Sequence, residues 1–281
     1  MKKKTNIKNG GKGKLITLII VAAVAATVVL FVAASAVFRS LKRTYEQQCC
    51  ITDAGEQVEI TVGKILPSRL FISHFNLTNG VNLTQVPFAK LRERLIGDMP
   101  NLRDIKIVRT IPNKVRIEVY ERTPVVRVLG AGAKANPNYT ADTEGKVFWY
   151  PRRDTTLLPI IREAKKETSA AGSKLSGMAM AALRLLEEAA DPEFAILKIQ
   201  EVETFKEDYL FATLGDSSRA KIAWEDMDCD TKTSRTSLRR QLKRLSQAMK
   251  SNVAAGTKLW NATDWGVPGR IYANDPTKAE D

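Results

Sequence analysis

Hydrophobic and polar positions divide the chain into one long apolar stretch and many short alternating ones. The apolar stretch, residues 15–38 (LITLIIVAAVAATVVLFVAASAVF), contains no charged side chain. As a helix, its 24 residues would be about 36 Å long, enough to cross a hydrocarbon core of about 30 Å with some tilt. The pattern predicts a transmembrane helix over Leu15–Phe38, preceded by a basic tail (residues 1–14) and followed by a juxtamembrane linker (residues 39–56).

Two other kinds of segment share features with this stretch. A cleavable signal peptide has a similar basic start, and Ala34-Ser35-Ala36 resembles its cleavage site. However, 19 apolar or threonine residues precede Ala34, whereas a signal peptide uses about 7–15. A buried core helix is the second alternative. A segment that is apolar on every face directly after a lysine-rich tail is more typical of a membrane anchor.

The flanking charges predict the orientation of this anchor. Six lysines lie in the first 14 residues, and three basic residues, Arg39, Lys42 and Arg43, follow the span. This excess places the N-terminus in the cytoplasm and about 240 residues outside it. A net charge of +13 and a pI near 9.7 would otherwise suggest a nucleic-acid partner. Outside the cytoplasm we expect no nucleic acid to bind.

Shorter periodic patterns after the linker predict an α+β fold with a small first domain over residues 57–123. Alternation at 58–62 predicts a strand. The stretch 65–75 is apolar at mixed spacing, and Pro67-Ser68 is a possible start of a short helix there, while helical spacing over 87–96 predicts a second helix. Alternation on both sides of Pro112-Asn113 then predicts a β-hairpin, so the element order is β-α-α-β-β. The hairpin has one apolar face, so both helices should pack on one side of the sheet.

Residues 124–274 are predicted to form a larger, strand-rich domain with a mixed or antiparallel sheet and flanking helices. Helical spacing predicts helices over 174–190 and 234–250. Apolar and alternating runs predict short strands at 125–129, 146–149, 196–202, 209–214 and 220–224. The polar residues 275–281 are predicted to be a disordered tail.

Residue types that carry chemistry are sparse. The one histidine, His74, lies in an apolar helix-like stretch, which is more typical of a packed side chain than of a catalytic base. The three cysteines match neither a disulfide framework nor a zinc motif. The predicted helix over 234–250 is basic on its outer face, which is either a patch for anionic lipid or an acidic partner or an ordinary solvated surface. We expect no catalytic residue, cofactor, metal or small-molecule substrate.

Several short motifs, taken in order, resemble the FtsQ/DivIB family of bacterial cell-division proteins. Gly80-Val81-Asn82-Leu83 is similar to the family's Gly-x-Asn-Leu, and Glu121-Arg122-Thr123-Pro124-Val125 to its Glu-Arg-x-Pro-Val. Asp142 to Phe148 is similar to its Asp-x-x-Gly-x-Val-Phe. The positions that carry the resemblance are Gly80, Asn82, Pro100, Arg109, Pro112, Glu121, Arg122, Pro124, Asp142, Gly145, Phe148 and Pro159.

This resemblance implies a polypeptide-transport-associated (POTRA) domain over residues 57–123 and an FtsQ-type β domain over residues 124–274. It implies a non-enzymatic scaffold in the cell inner membrane at the division septum. Its partners would be other single-pass division proteins of the FtsB and FtsL kind. The alternative is a POTRA-bearing anchor of a secretion or outer-membrane assembly complex, and a membrane-tethered cell-wall enzyme is the third hypothesis.

The resemblance also implies that the scaffold accepts a partner's strand on the edge of its last sheet. The positions that match the family's closing segment are Thr263, Asp264, Trp265, Arg270, Ile271 and Tyr272. Gly266, Pro268 and Gly269 interrupt this segment, which leaves the identity of the edge open. Trp265 and Tyr272 are equally compatible with a place in the core.

Overall fold

A computed structural model gives a mixed α+β structure with one N-terminal apolar helix and two sheets, which confirms the coarse fold class. The structure describes residues 10–130, 138–151, 153, 155–164, 169–175, 177–251, 258–263 and 272–274. Of these, side chains are not described for residues 10–24 and 272–274. The predicted tail at 275–281 lies outside the described residues.

Helix α1 (Gly10–Gln48) is long and apolar enough to cross a membrane. The described part that meets this requirement, Ala25–Gln48, has a mean hydropathy of 1.6, and none of it is buried inside the protein. It overlaps the predicted span Leu15–Phe38 from Ala25 onward. Residues 39–48, predicted as part of a linker, continue the same helix.

The chain clusters into two compact units. Unit 1 comprises Met1–Leu91 and Lys106–Glu118, and unit 2 comprises Arg92–Ile105 and Val119–Asp281. After α1, the first elements along the chain are α2 (Ala54–Gln57), β1 (Val58–Thr61), α3 (Ser68–Phe75), α4 (Phe88–Asp98), β2 (Leu102–Thr110) and β3 (Lys114–Glu121). The two units therefore divide α4, β2 and β3 between them.

Strands β1, β3 and β2 form a three-stranded sheet in that order, and β1 runs parallel to β3 with Val58 opposite Val115. In β3, Val115 and Ile117 are buried whereas Arg116 is exposed, as the alternation predicts. The apolar side chains buried in unit 1 include Phe71, Phe75, Leu77, Leu83, Phe88, Val115 and Ile117. One face of the sheet is thus buried and the other is polar.

Unit 2 holds a nine-stranded sheet with the order β12-β11-β10-β9-β8-β7-β4-β5-β6 among the described residues. Its strands are β4 (Val126–Leu129), β5 (Tyr139–Ala141), β6 (Val147–Trp149), β7 (Ile160–Arg162), β8 (Glu201–Glu203), β9 (Leu210–Thr213), β10 (Arg219–Ile222), β11 (Leu259–Ala262) and β12 (Tyr272–Asn274). Helices α5 (Gly177–Ala189) and α6 (Lys232–Lys250) and a 3-10 helix (Pro192–Phe194) connect them.

Helices α5 and α6 supply most of the buried helical side chains of this core. On α6, Leu238, Leu242 and Leu245 are buried, as their spacing predicts. The helix begins after Thr231, whose side chain accepts a hydrogen bond from the backbone N–H of Ser234. The Trp224 indole N–H donates to the Ser234 hydroxyl at 3.0 Å, which fixes this first turn to the end of β10.

The prediction of one strand over 196–202 is wrong for residues 196–200. The 3-10 helix at Pro192–Phe194 continues into a turn, in which the N–H of Leu197 donates to the carbonyl of Phe194 at 2.9 Å. Lys198 then adopts a positive φ of 40°, which extended backbone does not use. Strand β8 therefore begins only at Glu201.

Candidate partner-binding edge

The end of the nine-stranded sheet is built from a local hairpin and a distant strand. Strands β9 and β10 are antiparallel neighbours joined by a tight loop. In this loop the carboxylate of Asp216 accepts hydrogen bonds from the N–H and the hydroxyl of Ser218 at 2.9 and 2.6 Å. The same hydroxyl accepts a bond from the indole N–H of buried Trp260 at 3.2 Å. Trp260 thereby attaches β11 to the β9–β10 loop.

Strand β11 is an interior strand because both of its sides are paired. It runs parallel to β10, with Arg219 opposite Leu259, and antiparallel to β12, with Trp260 opposite Ala273. The parallel β10–β11 pair requires a crossover connection, which α6 supplies. In the part of the chain that the structure describes, no further strand follows β12 in this sheet.

The opposite edge of the sheet, β6, is covered by a neighbouring segment. The N–H of Val147 donates to the carbonyl of Ser173 at 2.9 Å, and the N–H of Gly172 donates to the carbonyl of Val147 at 2.8 Å. The N–H of Leu175 donates to the carbonyl of Gly145 at 2.8 Å. Backbone groups of residues 172 and 173 thus occupy the outward bonding positions of Val147, the first residue of β6.

Cations and aromatic rings alternate on the polar face of β9 and β10. The rings of Tyr209 and Phe211 meet edge to face with centroids 5.1 Å apart. The Arg219 guanidinium lies 4.6 Å from the Phe211 centroid, and the Lys221 ammonium lies 4.0 Å from the Tyr209 centroid. Arg219 also donates to the carboxylate of Glu203 at 2.7 Å. These contacts form a ladder on the polar face of β9 and β10, which are three and two strands from β12.

The structure places only part of the predicted binding segment. Thr263 follows β11 directly, and its hydroxyl donates to the side-chain oxygen of Asn261 at 2.7 Å. Tyr272 begins β12, where its backbone pairs with Asn261. The other four predicted positions, Asp264, Trp265, Arg270 and Ile271, lie outside the described residues. The segment therefore begins with Thr263, just after β11, and ends with Tyr272, at the start of the neighbouring strand β12.

Arg122 and Asp142, two of the residues that carry the resemblance, form a buried ion pair. Their side chains are 11% and 8% exposed, and an Arg122 Nη1 hydrogen donates to the Asp142 carboxylate. The same nitrogen donates to Glu144 at 3.0 Å, and Arg122 Nε donates to the Leu102 carbonyl at 3.2 Å. The second Asp142 oxygen accepts the backbone N–H groups of Glu144 and Lys146 at 3.0 and 2.9 Å.

The electrostatics of this pair keep the arginine charged. Burial alone lowers the pKa of Arg122, but the hydrogen bonds that it donates to Asp142 and Glu144, together with their negative charges, outweigh burial and raise the pKa above its usual value. Gly145 completes the turn with a φ of +75°, a conformation that favours glycine. The pair thus ties the exit from β3 to the β5–β6 turn.

In unit 1, residues that carry the resemblance bind the end of α1 and the residues that follow it. The Asn82 side-chain N–H₂ donates to the Glu46 carbonyl at 3.0 Å, and the Gly80 N–H donates to the Ile51 carbonyl at 2.7 Å. Gly80 has a φ of +89°. Arg109 donates to the Leu83 carbonyl at 3.2 Å and stacks over the Phe88 ring at 5.3 Å. These contacts give the motif a structural role at the base of α1.

The remaining motif residues lie in turns and in the core. Pro112 follows a cis peptide bond in the β2–β3 turn, Phe148 is fully buried, and the Pro159 carbonyl accepts the Arg127 N–H at 2.9 Å. Pro100 precedes β2, and Glu121 and Pro124 lie at and after the end of β3. His74 is exposed, and its Nδ1 lies 2.8 Å from the Leu70 carbonyl oxygen.

Other chemistry in the described residues is limited. Among them, no three His, Cys, Asp or Glu side chains lie close enough to hold a metal ion. Comparison with known proteins found neither a matching family model nor a matching curated protein. The sequence pattern did not predict the cation–aromatic ladder. The available signal is spacing: Tyr209 and Phe211 are two residues apart, as are Arg219 and Lys221, so each pair lies on one face of the sheet.

Proposed function

We propose that the chain is a membrane-anchored, non-enzymatic scaffold that binds single-pass partner proteins by adding one of their strands to β12. The observation that carries this proposal is the contrast between the two sheet edges. Residues 172 and 173 already bond the outward N–H and C=O groups of Val147 in β6, whereas β12 is the last strand of the described sheet. A strand at a sheet edge offers backbone N–H and C=O groups to another chain, and strand addition draws its affinity from those bonds.

The resemblance to the FtsQ/DivIB family identifies the partners in this proposal as FtsB- and FtsL-like proteins of the division septum. Three features support it: the order β1, α3, α4, β2, β3 that a POTRA domain would have, the single apolar N-terminal helix, and the buried Arg122–Asp142 pair. In this proposal the basic tail stays in the cytoplasm and both domains lie on the outer side of the inner membrane.

Specificity would come from side chains of the added strand that point toward the polar face of the sheet. The ladder of Tyr209, Phe211, Arg219 and Lys221 lies two strands (β10) and three strands (β9) from β12, about 14 Å or more from an added strand, and does not contact that strand. Alternate side chains of an added strand point to one face of the sheet, so every second position of the partner would carry the contacts that select it. Backbone bonding at β12 remains the source of affinity.

A proline scan of β12 tests this function. Successive N–H groups of an antiparallel strand point to opposite edges, so Tyr272→Pro and Asn274→Pro remove bonds on one side and Ala273→Pro removes one on the other. We expect the outward-facing positions to lower recovery of single-span division proteins from membranes by about tenfold at unchanged stability. The inward-facing positions should instead lower the stability of the sheet.

The scan has two contradicting outcomes. Wild-type recovery with all three proline variants, each folded and stable, would move the partner site away from β12. Recovery of secretion or outer-membrane assembly components in place of division proteins would contradict the septal role and leave the strand-addition geometry intact.

A further inference from the structure

Helix α1 enters unit 1 without a flexible connection. The Asn82 side chain binds the Glu46 carbonyl, and the Leu83 N–H donates to the Cys49 carbonyl at 3.1 Å. Cys49 and Ile51 are each 1% exposed. Tyr45 follows the end of the predicted span, Phe38, by about 10 Å of helix, whereas the headgroup layer is about 5–8 Å thick. The helix therefore holds this part of unit 1 at the membrane surface.

A groove lies between the last turns of α1 and the tip of the β2–β3 hairpin. It has a volume of about 160 Å³ and is lined on the helix side by Tyr45 and Cys49. Ile111 and Pro112 at the hairpin tip, together with Leu83, line the other side. Because Tyr45 and the hairpin tip line the same groove, the tip lies beside the helix at the level of the membrane surface.

Exposed apolar side chains continue from the span to this groove. On α1, Phe38, Leu41 and Tyr45 follow the spacing of one helix face and are 69%, 64% and 45% exposed. Ile111 at the hairpin tip is 70% exposed. Single exposed apolar residues are ordinary on a protein surface, but these four form a path that begins at the membrane and ends at the groove.

The charges around the groove are positive. Arg109 and Lys114 line it, and no acidic side chain lies in its described lining. The turn of α1 after the span adds exposed Arg39, Lys42 and Arg43, and Glu46 at 3.8 Å from Lys42 is the acidic neighbour. A cationic groove at the end of an apolar path is complementary to an anionic phospholipid, which has a negative headgroup next to an apolar acyl chain.

We propose that this groove binds an anionic phospholipid of the surrounding bilayer. The phosphate lies between Arg109 and Lys114, so the lipid is raised by about 10 Å from its ordinary level in the bilayer. Ile111, Tyr45, Leu41 and Phe38 cover the raised part of its acyl chain down to the hydrocarbon core. Bound lipid would fix the hairpin tip to the membrane surface and so hold unit 1 at one distance from the bilayer. The proposal depends on the membrane helix and is independent of the partner at β12.

Site-specific photo-crosslinking in nanodiscs tests the lipid site on the full chain. A photoreactive benzoylphenylalanine in place of Ile111 should form a lipid adduct about fivefold more often in phosphatidylglycerol than in phosphatidylcholine nanodiscs. Lys114→Gln should remove that difference. Lys106→Gln, on the same hairpin but outside the groove lining, makes the same change in charge and should leave the adduct unchanged.

Lys114, rather than Arg109, is replaced so that a change in adduct yield does not come from a disturbed fold. Arg109 also bonds the Leu83 carbonyl and stacks on Phe88, so its replacement would disturb unit 1, whereas Lys114 is exposed. Equal adduct yields in the two lipids, or an adduct that persists in Lys114→Gln, would overturn the headgroup site. A crosslink to another protein would overturn lipid as the occupant.

Discussion

At the scale of single residues, Arg122 and Asp142 connect two motifs that lie 20 positions apart. Each of these charges is nearly removed from water, and each is surrounded by partners: the guanidinium by Asp142, Glu144 and a carbonyl, the carboxylate by two backbone N–H groups. A buried charge is tolerated only with such a complete set of partners. Removal of either charge should therefore lower the free energy of unfolding by more than the loss of a surface ion pair would.

Asp142→Asn tests this consequence. The amide keeps the shape and one acceptor oxygen but leaves the buried Arg122 charge with Glu144 alone, so we expect a loss of about 3 kcal/mol in the free energy of unfolding. Urea unfolding of the full chain in detergent, followed by tryptophan fluorescence, measures it. Glu144→Gln is the control, since that carboxylate is 54% exposed, and it should cost less than about 1 kcal/mol. Equal stability of the two variants would contradict the role of the buried pair.

Glu187 on α5 carries a charge that the fold disfavours. Burial raises the pKa of its carboxyl, and the negative charges of Asp230 and Glu188 raise it further, while Arg235 and Arg184 act in the opposite direction. A carboxyl whose pKa is higher in the folded than in the unfolded state binds protons more tightly when folded. It therefore destabilises the protein above that raised pKa and has no such effect below the unfolded value.

Glu187→Gln should accordingly raise the melting temperature at neutral pH, and the gain should disappear as the pH falls to the ordinary range of a glutamate. Thermal unfolding of both proteins from pH 4 to pH 8 gives the comparison. Glu188→Gln serves as the matched control because Glu188 pairs with Arg239 at 3.5 Å, so that variant should show no gain. A gain of equal size at acid and neutral pH would contradict the electrostatic explanation.

At the scale of elements, local periodicity predicted the segments that are long and amphipathic. The apolar N-terminal helix, the hairpin around Pro112, and the helix that became α6 all follow from spacing alone. Residues 39–48 were assigned to a linker because they are polar, but helix α1 continues through them to contacts with Asn82 and Leu83. Those contacts come from residues more than 30 positions away, which a local pattern cannot reveal.

The order of strands in the large sheet could not be predicted from the sequence for a related reason. Strand β7 has three residues and pairs parallel with β4 on one side and β8 on the other. Three residues carry almost no alternation, and parallel partners are joined by long connections. Likewise, the pairing of β11 with β10 depends on the crossover through α6, so the edge position of β12 emerges only in three dimensions.

In the whole molecule, different parts of the chain have different proposed tasks. Helix α1, which is long and apolar enough to cross a membrane, is the proposed anchor, the groove beside its last turns is the proposed lipid site, and β12 is the proposed site for a partner protein. The two units are separate clusters of contacts, so each assignment can fail without the other. The predicted partner segment at 264–271 falls outside the described residues, and for this reason the central claim rests on the backbone of β12.

Strand addition at β12 can be tested by hydrogen exchange of the β12 amides in the full chain, reconstituted in nanodiscs with and without a purified FtsB-like partner. Strand addition predicts that the outward-facing amides among residues 272–274 become protected when the partner binds, because each gains a backbone acceptor. The Val147 amide of β6, which already donates to the Ser173 carbonyl, should not change. Binding of the partner with unchanged exchange at β12 and new protection elsewhere would contradict the account.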